Sequence, residues 1–175
     1  DIAVHLAWAQ LEIFADDVEK IQVMAAGDEN SVSDLRIEVK DGTLLVEQPQ
    51  YGLSLNIMES KWLQVCVRVP RAWGHGIHCS TLSGLLSARK LNGSEIVLET
   101  VTGDLRALKL SAAQMSLKSV SGDTRGEELK AEKLNMRSVS GDAALDALST
   151  KTLKCNSVSG EQTYNMNSSF ERVDV

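Results

Sequence analysis

Four acidic residues recur at one spacing in the second half of the chain, and each follows a glycine. They are Asp104, Asp123, Asp142 and Glu161, 19 residues apart. Carboxylates stacked this closely repel one another unless a cation or a donor offsets their charge. Oxygen ligands suit Ca²⁺, so the column is a candidate calcium site. The alternative is that each carboxylate accepts backbone N–H groups in its own turn, beside Arg106 and Arg125 as counter-charges. The absence of the Gly-Gly-x-Gly-x-Asp pattern of calcium-binding repeats favours this alternative.

Thiols and imidazoles form a second cluster. Its members are Cys66, His75, His78 and Cys79. The spacing matches no standard zinc pattern, and neighbours such as His78 and Cys79 would point to opposite faces of a strand. With Cys155, the chain has three cysteines, too few for a disulfide framework. We expect three free thiols packed as small apolar side chains, with a single Cys66–Cys79 bridge as the alternative.

Hydroxyl side chains recur in a tetrapeptide of hydroxyl, aliphatic, hydroxyl and glycine. It begins at residues 81, 100, 119, 138 and 157, always 19 residues apart. Such rows could supply a nucleophile or a glycan-binding face, but stacked coils also use them to hydrogen-bond one another. No serine lies in a Gly-x-Ser-x-Gly elbow. We therefore predict no catalytic residue and no cofactor.

Large aromatic side chains concentrate in the first half, where Trp8, Tyr51, Trp62 and Trp73 lie. An exposed one could stack on a sugar ring. Packing in the core or cap is the more common role of such residues, and it is what we expect here.

The 19-residue repeat must position all these groups. It is too short for a two-helix unit, and its segments alternate and are rich in β-branched residues, as in Glu95–Thr102. Each repeat is therefore predicted to form one coil of a β-solenoid, with coils about 4.8 Å apart. Gly126 and Leu145 occupy one row in successive coils, which indicates an exchange of volume in a shared core.

Seven rows are predicted to face inward. They begin with Leu82, Leu86, Ala88, Leu91, Gly93, Ile96 and Leu98. The last repeat breaks this pattern with Asn167, Arg172 and Asp174, and polar residues suit the open end of a solenoid. We expect these residues to form a C-terminal cap, with Tyr164 and Phe170 covering the core.

The first eighty residues are also β-rich, without the strict repeat. Predicted strands are Leu11–Phe14, Lys20–Val23, Leu35–Val39, Leu44–Val46, Leu53–Ile57 and Leu63–Val69. Asp41-Gly42 predicts a hairpin. The whole chain, residues 1–175, is predicted to be one continuous all-β domain, a single-stranded β-helix. Residues 1–80 form an irregular N-terminal β-section and cap, and residues 81–175 form five coils, the last acting as a cap.

Charge excludes some partners. Residues 1–80 carry 6 Lys and Arg against 12 Asp and Glu, whereas residues 81–175 carry 12 of each, so the net charge of -6 belongs to the first half. An acidic half and a neutral half do not attract phosphate backbones or anionic lipid. No apolar run approaches the roughly 20 residues of a membrane helix. We expect neither nucleic acid nor membrane insertion.

The hairpin at residues 37–44, the strand ending in Val67-Arg68-Val69-Pro70, and the Ser-Val-Ser-Gly-Asp repeats at 119–123 and 138–142 resemble a bacterial family of β-strand-repeat domains of unknown function, known as the putative adhesins. The resemblance spans nearly the whole chain. It implies a β-helix displayed outside the cytoplasmic membrane, behind an anchor that precedes or follows this sequence. A cytoplasmic location is the alternative.

The function predicted from these features is a non-catalytic, surface-displayed binding or adhesion module with a protein or glycan ligand. One alternative is a scaffold that assembles through its sheet edges, which an apolar surface patch would favour. The other is a polysaccharide-active enzyme, which a cleft holding two or more carboxylates with Arg or Lys would favour. An exposed groove lined by aromatic residues would favour glycan binding.

Overall fold

A computed structural model describes residues 1–48, 62–167 and 172–174. These residues are nearly all strand, with one short helix, α1, at Glu29–Ser33. The strands among them are β1 Ile2–Trp8, β2 Gln10–Asp16, β3 Gln22–Gly27, β4 Arg36–Lys40, β5 Thr43–Glu47, β6 Leu63–Pro70, β7 Ile77–Ser83, β8 Leu86–Arg89, β9 Asn92–Thr102, β10 Leu105–Ser121, β11 Thr124–Ser140, β12 Ala143–Ser157, β13 Gln162–Met166 and β14 Arg172–Asp174. No helix in the described residues is long and apolar enough to cross a membrane.

Successive coils stack as parallel strands in the 19-residue register. Leu117 of β10 pairs with Leu98 of β9 on one side and with Met136 of β11 on the other, and Met136 pairs in turn with Cys155 of β12. The predicted β-solenoid is therefore confirmed, with about five turns. Because the register is constant, residues at one position in successive coils form a straight row.

Each coil bends at fixed positions. In β10 the inward side chains are interrupted by the outward pairs 108–109 and 113–114, so the coil has three inward-facing sides. The first of these corners is a left-handed residue in every coil, with φ near +55° at Lys90, Lys109, Glu128 and Ala147. The corner between the sides is thus set by backbone conformation as well as by side-chain type.

The aliphatic residue of the tetrapeptide faces outward, contrary to the prediction. Leu82, Val101, Val120, Val139 and Val158 are between 38% and 81% exposed. The hydroxyl residue before each of the first four is buried instead, as at Thr100, which is 3% exposed. The strand runs without a bulge from Ile96 through Leu98 to Thr100, so strict alternation sends the next side chain out. The other six predicted inward rows are buried in the described coils.

The core is a single stack of apolar side chains along the solenoid axis. Within it, a Cβ added to Gly126 would lie 2.7 Å from both Leu129 Cδ1 and Leu145 Cδ2. The two leucines therefore fill the volume that glycine leaves, as the alternation along this row predicted.

The solenoid begins at the first residues, before the 19-residue repeat. β1 pairs in parallel with β7, and β2 with β8, so residues 2–14 form a coil on top of residues 77–89. β5 and β6 lie on the far side of this coil, paired in parallel with β1 and β2. Antiparallel β4 and β3 complete the layer. The N-terminal section is thus more regular than predicted, because its strands share the register of the coils.

The hairpin predicted at Asp41-Gly42 is confirmed, with positive φ at both residues as a two-residue turn requires. β2 and β3 do not pair with each other around Asp16-Asp17; β3 pairs with β6 instead. The strand predicted at Leu53–Ile57 lies outside the described residues.

The C-terminal end slips out of the 19-residue register. Leu148 pairs with Met166, and Leu153 pairs with Val173. Half-buried Met166 and Val173 therefore take the rows predicted for Asn167 and Arg172 and pack against the core with Tyr164. The prediction of polar residues in those rows was wrong because the repeat does not hold through residues 162–174. Phe170 lies outside the described residues.

Candidate binding surface

The acidic column forms a hydrogen-bond ladder between coils. Asp104 Oδ1 accepts the backbone N–H of Asp123 at 3.1 Å, Asp123 Oδ1 accepts that of Asp142 at 3.1 Å, and Asp142 Oδ1 accepts that of Glu161 at 2.8 Å. The donors come from the next coil, rather than from the same turn as predicted. Each of these bonds offsets part of the repulsion between the carboxylates. Their geometry supports a structural role for the column.

The two hydroxyl rows point in opposite directions. Buried Thr81 Oγ1 donates to the Ser83 carbonyl at 2.9 Å, and buried Ser119 Oγ donates to the Gly122 carbonyl at 3.2 Å. These bonds brace the turn within one coil, whereas the prediction was for bonds between coils. Exposed Thr102 Oγ1 donates to the Leu82 carbonyl. The inner row is closed to any ligand.

The cysteines and histidines do not come together. All three cysteines are free thiols, with Cys79 and Cys155 buried in the core and Cys66 half-buried. Burial raises the pKa of the Cys79 thiol to about 12. His78 faces outward while Cys79 faces inward, and His75 stacks edge-on against Trp73. No group of three or more His, Cys, Asp or Glu in the described residues is placed to hold a metal ion.

A groove of about 630 Å³ runs along the outer face of the side that follows the glycine corner. Arg106 and Arg125 lie next to each other in it, on adjacent coils. Both are exposed, and neither forms an ion pair with any described residue. Half-buried Leu85 and Leu108 supply apolar wall beside them. We call this surface the arginine groove.

A third arginine in the arginine groove is already partnered. Arg89 forms an ion pair with Glu12 and lies over the ring of Phe14, 5.0 Å from its centroid. Glu127 and Asp146 are further carboxylates in the wall, and both are exposed. Arg106 and Arg125 are therefore the cations of this groove that remain available to a ligand.

The arginine groove continues into a smaller groove of about 270 Å³ with aromatic walls. Gln10 and Gln64 line both. Trp62, 53% exposed, and half-buried Trp8 line the smaller one. Of the four aromatic residues singled out in the sequence, Trp73 is half-buried and packs against the core, and Tyr51 lies outside the described residues. An exposed indole thus lies beside amides and guanidinium groups on one continuous surface.

A separate groove of about 560 Å³ lies between the hairpin β4–β5 and the exposed aliphatic row. His5 Nδ1 is hydrogen-bonded to Ser80 Oγ at 2.8 Å, and its ring meets that of His78 edge-on at 5.1 Å. Burial, and then repulsion from His78, lower the pKa of His5. Glu99 contacts His78 on one side and binds Lys118 on the other.

Sequence reasoning named Arg106 and Arg125 only as counter-charges to the acidic column. The signal that places them in a groove is alternation: Asp104, Arg106 and Leu108 share the outer face because their strand faces inward at 105 and 107. The contribution of Gln10, Trp8 and Gln64 could not be found this way, because they lie outside the repeat.

Fold and surface together define a class, an all-β solenoid whose outward rows form grooves across several coils. The family model that matches the sequence is Toastrack, a domain of unknown function (DUF4097), over residues 1–175. The chain therefore belongs to the Toastrack family, which confirms the resemblance to the β-strand-repeat domains. No curated protein matches at a significant level.

Several solved structures are similar along their length. One is described as a "putative adhesin" from Bacteroides fragilis, 14% identical, with 99% of this chain and 91% of that chain covered and a TM-score of 0.49. A "putative lipid binding protein" from Parabacteroides distasonis is 13% identical, with 100% and 89% covered and a TM-score of 0.44. A "putative cell adhesion protein" from Clostridium sporogenes is 15% identical, with 99% and 92% covered and a TM-score of 0.41.

Proposed function

We propose that this protein is a non-catalytic binding module that takes an acidic glycan along the arginine groove. The observation that carries the proposal is the pair of stacked guanidinium groups, Arg106 and Arg125, free of ion pairs within the described residues and continuous with an exposed Trp62. Guanidinium groups bind carboxylates through paired hydrogen bonds. Indole faces stack on sugar rings, and side-chain amides bind their hydroxyl groups.

The repeat suits a chain-like ligand better than a compact one. Adjacent coils present their side chains about 4.8 Å apart, so Arg106 and Arg125 contact acidic groups on neighbouring units. We propose display outside the cytoplasmic membrane, because the family resemblance implies it, and glycans with carboxylate groups are reached there.

A polysaccharide-active enzyme is the second candidate, because the arginine groove holds carboxylates beside arginines, the composition that favours such an enzyme. The environment of the carboxylates speaks against it. Glu127 and Asp146 are exposed, and Glu12 is paired with Arg89, whereas a glycosidase acid is kept protonated by a less polar site. We therefore assign these groups to the ligand's polar contacts.

An array of acidic and neutral glycans tests the proposal. The wild-type protein is expected to retain acidic chains, and Arg106→Ala with Arg125→Ala to lose that retention while Lys130→Ala keeps it; Lys130 is exposed and lies outside the groove. Each lost guanidinium contact is worth about 10-fold or more in affinity. Retention by the double variant equal to wild type would exclude the groove. New reducing ends in the retained glycan would favour the enzyme instead.

A further inference from the structure

We infer that β4 is an interface at which two copies of this chain pair edge to edge, in an antiparallel arrangement centred on Ile37. This inference does not depend on the glycan proposal, because β4 contributes Arg36 only to the separate groove beside β5. It concerns the end of the solenoid where the coil stack stops.

The strand β4 is an open edge. In the part of the chain that the structure describes, β4 pairs with β5 and with no other strand. All five of its residues are exposed, including Ile37 at 50% and Val39 at 74%. An exposed apolar edge with no proline and no bulge is a template for pairing with another strand.

Hairpin geometry decides which backbone groups are available. Lys40 and Thr43 flank the two-residue turn and form the hydrogen-bonded pair next to it. Pairs alternate along an antiparallel ladder, so Arg36, Glu38 and Lys40 bond to β5. The N–H and C=O groups of Ile37 and Val39 then point to the open edge.

One register satisfies these groups and the side chains together. With Ile37 opposite Ile37 of the second copy, these two residues exchange both N–H···O bonds. Val39 N–H then meets the carbonyl of Leu35, whose own N–H already donates to the Val32 carbonyl. On the charged face, Arg36 lies opposite Glu38 twice. On the apolar face, Ile37 lies opposite itself and Val39 opposite Leu35.

The neighbouring registers are worse. With Ile37 opposite Val39, Glu38 lies opposite Glu38 and Arg36 opposite Lys40, and like charges directly opposite are destabilising. With Val39 opposite itself, Ile37 lies opposite Asp41, which belongs to the turn. The sequence of β4 therefore specifies a two-fold pairing of like with like, as an isologous interface requires.

The interface is short, so association is expected to depend on concentration. Light scattering after size exclusion measures the mass across a concentration series of the whole chain. The expected mass rises from the monomer value of 19.0 kDa towards twice that value. A wild-type protein that stays monomeric up to about 1 mM overturns the inference.

Charge reversals test the register. Glu38→Arg and Arg36→Glu each place like charges opposite each other, so each variant is expected to remain monomeric. The double variant restores opposite charges and is expected to dimerise again. A mixture of the two single variants is expected to form a heterodimer, because one copy then carries arginine at both positions and the other carries glutamate at both.

The matched control is Lys130→Glu, an exposed charge reversal away from β4, which is expected to dimerise like wild type. Association of both single variants equal to wild type would overturn the inference, since it would place the interface elsewhere. Stronger association of Arg36→Glu would also overturn it, because that result belongs to the register with Arg36 opposite Lys40. Circular dichroism confirms that each variant is folded.

Discussion

The glycine of each tetrapeptide is the residue on which the stacking of coils depends most strictly. A Cβ on Gly103, Gly122, Gly141 or Gly160 would lie within 3.0 Å of the carbonyl oxygen of the glycine one coil earlier. Most of these glycines also have φ between +111° and +124°. The same row in the first coil holds Ala9, paired next to Gly84 across the coils. Glycine is needed because backbone approaches backbone there.

Three glycine substitutions separate crowding from backbone strain. Gly122→Ala adds both a clash with Gly103 and positive φ, so we expect a loss of about 3 kcal/mol or more. Gly42→Ala adds only positive φ, because no atom lies within 4 Å, and about 1 kcal/mol is expected. Gly74→Ala adds neither and is expected to be neutral. Chemical denaturation measures all three, and equal losses at Gly122 and Gly42 would contradict the crowding account.

His5 makes stability depend on pH. Its pKa is lowered in the folded chain from 6.5, first by burial and then by His78, against weaker attraction from Glu47 and Glu99. The unfolded chain therefore binds more protons just below pH 6.5, and the free energy of unfolding falls as pH drops through that interval. We expect His5→Gln to flatten this dependence between about pH 7.5 and 5.5 in denaturant titrations.

The matched control for His5 is His75→Gln, at an exposed histidine beside Trp73. It is expected to leave the slope of stability against pH unchanged. A slope in His5→Gln as steep as in wild type would show that other groups govern stability in this interval.

At the level of elements, the repeat predicted the coils because every structural requirement recurs with it. Rows such as the one containing Leu98 and Leu117 are buried in each coil, and a strict spacing fixes the register. The direction of the aliphatic row was mispredicted, because its residues are as apolar as the core. Counting alternation from Leu98 places Thr100 inside and Val101 outside, so the signal was present.

The two ends of the solenoid could not be predicted from the repeat. The first coil stacks Ile2 on Ile77, a separation of 75 residues that is no multiple of 19. The last strands stack Val173 on Leu153, a separation of 20. Insertions and slips of this kind leave no periodic trace, because hydrogen bonding between backbones does not depend on sequence. The same holds for the groove where Trp62 and Gln64 meet the repeat.

A pair of substitutions tests the direction of the rows within a coil. Leu129 is 1% exposed, so Leu129→Asp places an unpaired charge in the core and is expected to prevent folding. Val120 is 45% exposed, so Val120→Asp is expected to change stability by about 0.5 kcal/mol or less. Thermal melts followed by circular dichroism compare them. A normal melt for Leu129→Asp, or an unfolded Val120→Asp, would contradict the assignment.

For the whole molecule, coils that contact only their neighbours make stability close to a sum over coils. Deleting residues 115–133 removes one coil and joins Gln114 to Leu134 as Lys133 is joined to it now. We expect this shorter chain to fold, with a lower melting temperature. Deleting residues 115–134 removes one residue more and reverses the facing of each following side chain. It is expected to lose cooperative unfolding, and a cooperative melt in both would contradict the solenoid register.

The molecule as a whole is a stiff support with grooves on its outer faces and an open strand at one end. Such an arrangement suits a binding module that faces its ligand from outside the cell. The arginine groove lies in the neutral second half and at its junction with the acidic first coil, so the chain's net charge of -6 leaves an acidic glycan a favourable place to bind only there.

Labelling intact source cells with a membrane-impermeant amine reagent tests this account most directly. Exposed lysines such as Lys130, Lys133 and Lys154 react without any need to unfold the solenoid, and a cytosolic protein serves as the internal control. The account predicts that these lysines are labelled while the cells are intact and the cytosolic control is not. Labelling only after lysis would contradict display at the surface and, with it, the proposed binding of an external glycan.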